Sequence, residues 1–218
     1  MLVLYSGTFC DIFINKLYVL ISMPQELFEI PSLDSLVGEP FSEQSEPFDL
    51  RLLEIPPYTI PQNRTIRQTT FPALPKEYSP LIRTFVEPVA QEAEQNGFNS
   101  NIFTALYEAV LNAHQHGNQL DPTKTVTLAY AIEEDMFCAS IIDQGGRIDP
   151  AFVPFVLRHK LGEHKKKFID FYQFSNKEKP KSNRGTGTSF MHTYVNQVNY
   201  YKSEEGGLVV ELIKLKPE

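Results

Sequence analysis

The chain has 218 residues, a hydrophobic share of 42% and a formal charge of −7, enough apolar sequence for one domain with a sizeable core and some extra chain. The negative balance argues against a general nucleic-acid binder, which would be basic overall. The only cysteines, Cys10 and Cys138, have neither CxxC nor Cys/His spacing. They indicate no disulfide framework and no structural metal site, and they fit a reducing compartment.

Charge divides the chain into unlike parts. Residues 1–62 hold nine acidic residues against Lys16 and Arg51, which accounts for the whole net charge, whereas ten of the twenty Lys and Arg fall between Arg147 and Arg184. Residues 1–22 are apolar, but Asp11, Asn15 and Lys16 interrupt them short of the ~20 residues a membrane span needs. They also lack the basic start and cleavage pattern of a signal peptide. A weak anchor and a true start at Met23 both fit this stretch. From Met23 to Gln62, Pro24, Pro31, Pro40, Pro47, Pro56, Pro57 and Pro61 break any long helix or central strand. The expectation is an acidic, largely disordered extension over residues 1–62, a passive tail more than a partner-binding arm, with Phe48–Leu53 as a short docking piece. A folded domain then occupies 63–218.

Within that domain, Thr65–Phe71 reads as a first strand. Pro80–Gln95 has helical periodicity through Leu81, Phe85 and Val89, with Pro88 expected to kink it. Ser100 is a candidate cap for a helix running to His116 and stopped by Gly117 and Asn118. Lys124–Ile132 alternates as a half-buried strand, and the apolar run Met136–Ile142 suits a central one. A loop opens at Asp143. Residues 151–183 are long, basic and weakly periodic, as lids are, and His159 and His164 read there as solvated. Gly185–Gly187 opens a helix to about Val195, and strands Gln197–Lys202 and Leu208–Leu215 close the chain.

Three blocks could carry chemistry. Glu108, Asn112 and His116 recur every four residues beside an apolar stripe of Ile102, Leu106, Ala109 and Ala113, so a polar edge borders the core. Asp143-x-Gly145 follows a buried strand, and Gly185-x-Gly187 enters a helix. Each alone is a weak signal, since a helix may have an ordinary solvated face and glycine pairs are common in turns. In this order, with a long loop between the second and third, they are specific.

Over residues 64–216 the chain resembles the GHKL ATP-binding superfamily, and within it the anti-sigma-factor serine/threonine kinase group. Glu108-x-x-x-Asn112-x-x-x-His116-Gly117 is similar to that group's N box, Asp143-Gln-Gly-Gly-Arg-Ile-Asp-Pro150 to its first glycine box, and Gly185-Thr-Gly-Thr-Ser-Phe-Met191 to its second. The resemblance implies an α+β fold: a two-layer sandwich with a mixed, mostly antiparallel sheet, helices on one face, and an ATP lid over about 147–184. It implies ATP and Mg²⁺ as ligands. Glu108 would be the general base and Asn112 the metal ligand, with His116 supporting the turn behind them. Asp143 and Gly145 would meet adenine, and Arg184, Gly185, Thr186 and Gly187 the phosphates. Arg147 departs from the first box, where a second glycine usually stands, and Leu208 replaces a common Thr.

The activity implied is transfer of a phosphoryl group from ATP to a Ser or Thr of an anti-anti-sigma (STAS-domain) partner, with a sigma factor as the alternative partner. The resemblance implies a cytoplasmic transcription regulator and a homodimer, with no direct nucleic-acid or membrane contact. A non-catalytic ATP-gated binding module of the same fold is the alternative. A sensor histidine kinase is disfavoured, because all five histidines lie at or after His114, inside the ATP-binding unit.

Overall fold

Seven strands and five helices follow from these patterns in a computed structural model that describes residues 47–52, 57–58, 66–71, 78–180 and 185–217. Residues 1–46, with Cys10 and Met23, and Arg184 lie outside the described residues. The strands are β1 (Phe48–Asp49), β2 (Arg67–Phe71), β3 (Val126–Ile132), β4 (Met136–Ile142), β5 (Arg147–Ile148), β6 (Gln197–Lys202) and β7 (Leu208–Leu215). The helices are α1 (Tyr78–Gln95), α2 (Ile102–Asn112), α3 (Phe152–Lys160), α4 (Phe171–Ser175) and α5 (Gly187–Tyr194).

Five strands form one sheet in the order β2-β3-β4-β7-β6, and every described pairing is antiparallel. Alternation decides which side chains face inward. The register sets Leu128 opposite Ile141 and Ile141 opposite Val210, so one face carries a continuous apolar row. Helices α1, α2 and α5 cover that face and bury Ile82, Val86, Leu106 and Met191 against Phe137 and Leu212. This is the expected two-layer α+β arrangement.

The other face is also largely buried. Val209, Glu211 and Asn199 point there, and all are under 9% exposed. Tyr58 stacks on Tyr201 with ring centroids 5.1 Å apart, and its hydroxyl is 2.7 Å from Ser140 Oγ. Part of the expected N-terminal extension is therefore packed on the domain. Phe48–Asp49 pairs with Arg147–Ile148, and Leu50 is 1% exposed, so at 47–52 and 57–58 the chain is not a loose tail.

Helix α1 continues through Pro88. The start of α2 differs from expectation. Ser100 does not cap α2; Asn99 Oδ1 instead accepts from the Asn101 amide at 2.9 Å, and tight turns over 99–103 satisfy the first N–H groups.

The basic segment is ordered by its aromatic residues. Phe155 on α3 meets Phe171 and Phe174 of α4, whose first turn is capped by Asp170 accepting from Tyr172 and Gln173 amides at 2.9 and 3.3 Å. His159 and His164, expected in solvent, are 1% and 6% exposed. The reason is helical periodicity: α3 turns His159 toward α5, where its ring bridges the Phe155 carbonyl and Ser189 Oγ at 2.8 and 2.7 Å. With His192 of α5 it forms a trio of imidazoles whose centroids are 5.2–5.7 Å apart. Among the described residues no group of His, Cys, Asp and Glu is placed to hold a metal ion, and no helix is long and apolar enough to cross a membrane.

Burial holds all three imidazoles below their ordinary range, His192 most of all, to about 2, with His159, His164 and Lys160 adding repulsion. The unfolded chain takes up these protons near pH ~6.5 and the folded chain resists, so stability falls as pH drops below that value. Among the described residues, neither ring nitrogen of His164 has a partner with hydrogen-bond geometry. His164→Leu should match the wild type in urea melts at pH 7.5 and exceed it at pH 5; an equal difference at both pH values would contradict this account. Phe137→Ala, at the centre of the core, should cost about 3–5 kcal/mol in the same melts.

Candidate functional site

The site lies where α2, the loop after β4 and the start of α5 meet. Helix α2 does not run on to His116. After Asn112 it widens into a π-type turn over Ala113–Gly117, with the Asn118 amide bonding the Ala113 carbonyl at 2.8 Å. Such widened turns re-aim side chains and recur at functional sites. Here the turn buries His114 against Tyr78 and leaves His116 exposed. Glu108 and Asn112 lie in regular helix, whereas His116 lies in the widened turn.

Those two side chains converge on the first residue of α5. A methyl group on Gly187 would stand 2.5 Å from Glu108 Oε2 and 3.5 Å from Asn112 Nδ2. Any side chain at 187 would displace the carboxylate. Glycine at this position therefore lets a helix N-terminus, with its free amides and positive dipole end, come against the Glu108–Asn112 pair.

The second centre is Asp143, only 2% exposed. Its Oδ1 accepts from the amides of Gly145 and Leu208 at 2.9 and 3.0 Å. A methyl group on Gly117 would collide with its Oδ2, and one on Gly145 with the Gly117 carbonyl. Burial raises the carboxyl to about 6, against the two amides, which lower it. At neutral pH it is an ionised acceptor with one oxygen already committed.

Between the two centres is a cavity of about 350 Å³, within the range of small-ligand sites. Of the residues singled out in the sequence, Asn112, His116, Asp143, Gly185 and Gly187 line it. Glu108 stands behind Gly187, Gly145 supports Asp143, and Thr186 directly precedes α5. The cavity floor is apolar, through Ala113, Met191, Leu208 and Val210.

The structure answers both departures from the glycine-box pattern. The left-handed residue of the first box is Gly146, at φ 83°, so Arg147 needs no such freedom and lies extended in β5. Leu208 meets Asp143 through its backbone amide, which any side chain would supply.

Several cavity residues escaped sequence reasoning. Phe152, Phe155, Phe171, Tyr172 and Tyr200 line the wall, and Lys177 enters it while ion-paired with Asp149. That pair ties the basic segment to the first glycine box, and Phe171 N to Gly185 O, at 2.9 Å, ties it to the second. The four from α3 and α4 were visible only as pieces of a weakly periodic stretch, and Tyr200 only as one residue of a closing strand. Lys177 was one lysine in a run, with nothing to separate it from solvated neighbours.

A scan against family models matches residues 71–214, from β2 into β7, to a histidine kinase-like ATPase domain. No curated protein sequence matches the chain. The match covers both glycine boxes, the Glu/Asn helix, strands β3, β4 and β6 and nearly all of β7, the elements around the cavity. The chain therefore belongs to the histidine kinase-like ATPase domain family, an ATP-binding fold of the GHKL superfamily.

Proposed function

We propose that the protein is an ATP-dependent serine/threonine kinase of the anti-sigma type. In this reading it phosphorylates an anti-anti-sigma (STAS-domain) partner in the cytoplasm, and otherwise restrains a sigma factor as a homodimer. The observation that supports it most is the convergence of Glu108 and Asn112 on Gly187, beside a helix N-terminus. A nucleotide-gated module without chemistry has no need of a carboxylate at that point.

The residues present fit ATP and Mg²⁺. The second oxygen of Asp143 would accept the adenine amino group, over the floor of Ala113, Met191, Leu208 and Val210. The amides entering α5, with Gly185 and Thr186 before them, would hold phosphate oxygens. Lys177, already in the wall, would add a cation, as would Arg184. Mg²⁺ keeps several waters and needs only one or two protein oxygens, so Asn112 could serve as its ligand. When bound, ATP with its metal supplies a phosphoryl group whose transfer depends mainly on positioning and charge neutralisation.

Glu108 has the chemical part. One of its carboxylate oxygens would take the proton of the acceptor Ser or Thr hydroxyl as the hydroxyl oxygen bonds to the γ-phosphorus and ADP leaves. The aromatic wall of Phe152, Phe155 and Phe171 would keep competing water out.

With labelled ATP and a STAS-domain protein, Glu108→Gln should lower transfer by about 100-fold or more while nucleotide affinity stays within a few-fold. Nucleotide binding by the wild type with no transfer to any partner would favour the non-catalytic module. Asp143→Asn should weaken ADP binding about tenfold or more, because it removes a charged acceptor. The ionised carboxylate is the binding form, so wild-type affinity should fall as pH drops through about 6. Asp143→Asn should lack that acid limb in fluorescence titrations.

A further inference from the structure

The N-terminal segment reaches the cavity without belonging to the family unit. Pro47 lines the wall together with Ile148 and Asp149, and β1 adds to β5, Phe48 opposite Ile148 and Asp49 opposite Arg147. The Leu50 amide then bonds the Gly146 carbonyl at 2.6 Å. These contacts fall on the loop that carries Asp143, at its one left-handed residue and the two after it. Without β1, the two residues of β5 would have no strand partner among the described residues.

The segment is also anchored beyond that contact. Leu50 is 1% exposed. The stem of Arg51 occupies the space a side chain on Gly206 would need, at the turn leading into Leu208, while its head pairs with Asp49. Further on, the Tyr58 amide bonds the Lys202 carbonyl at 2.7 Å. The Tyr58 hydroxyl enters a buried polar cluster on the outer face of the sheet. There Glu211 accepts from Asn199 Nδ2 at 2.9 Å and Tyr201 at 3.2 Å, with Tyr58 at 3.4 Å. A carboxylate 5% exposed needs such donors, so the Tyr58 anchor is part of the fold's polar satisfaction.

We propose that residues 47–52 and 57–58 act as a strap that sets the shape of the Asp143–Asp149 loop, making Leu50 and Tyr58 positioning residues for nucleotide binding although neither lines the cavity. The proposal rests on the reading of that cavity as the ATP site. The physical reason is preorganisation. A short loop held by one added strand binds without first being ordered, and the same loop released must be ordered by the ligand. Anything that pulls on the chain before Pro47 would therefore act on nucleotide occupancy.

The test uses the full-length chain and a fluorescent ADP analogue with Mg²⁺. Leu50→Ala should weaken binding about tenfold, Tyr58→Phe should weaken it less, and Leu50→Met should bind like the wild type. A second readout separates positioning from general stability. A loosened loop hydrates Asp143, so the acid limb of the Leu50→Ala affinity profile should move below its wild-type position near pH 6. Should Leu50→Ala fail to fold, Asp49→Ala and Tyr58→Phe carry the same two measurements. Equal affinities and superimposable pH profiles across the folded variants, with only the melting midpoint lowered, would overturn the proposal and leave the ATP reading intact. No binding by the wild type would overturn both.

Discussion

One buried carboxylate sets the terms for the rest of the structure. Asp143 is almost wholly removed from water, and a charge there is tolerable only where donors are fixed around it. Those donors are main-chain amides from two places far apart in sequence, Gly145 and Leu208. Steric room comes from Gly117, at the end of the widened turn of α2, and from Gly207, which could not carry a side chain beside the Asp143 carbonyl. The end of α2, the first glycine box and the start of β7 are thus pinned to one another around a group that destabilises the fold when ionised. Its carboxyl is raised to about 6, so folding is favoured by protonation and opposed as pH rises through that value. A group costly to stability yet so closely fitted is what a binding site contains.

The frame was legible in the sequence because periodicity reports directly on burial. β3, β4, β6 and β7 lie where the alternating and continuous apolar runs put them, and the two glycine boxes flank the cavity as their order implies. Glu108 and Asn112 were readable for the same reason: four residues of regular helix place them together. His116 lines the cavity with Asn112, although the helix widens over Ala113–Gly117 before reaching it. His159 and His164 were not readable in this way. Their burial depends on α5, which comes later in the chain, and no local pattern in a lysine-rich stretch announces a tertiary partner.

The acidic N-terminal residues show a related limit. Prolines and charge in 1–62 describe what the chain cannot do alone, not what it can do against a preformed surface. Two-residue β1 would be invisible to any periodicity, and it exists because β5 offers a pairing edge. Tyr58 has no sequence signal beyond being aromatic, yet Glu211 on the outer sheet face gives its hydroxyl a place.

The central pairing of the sheet has a consequence in time as well as in space. β3 and β4 are joined by a tight turn and can pair early, whereas β4 and β7 are adjacent in space with the whole lid and α5 between them in the chain. Closing that long loop is entropically costly, and pairings of this kind form late. The register that joins Ile142 to Val209 also delivers the Leu208 amide to Asp143. The Asp143 side of the cavity is therefore completed by the longest-range pairing within the main sheet. A chain that has not yet made that pairing lacks the Leu208 amide at Asp143.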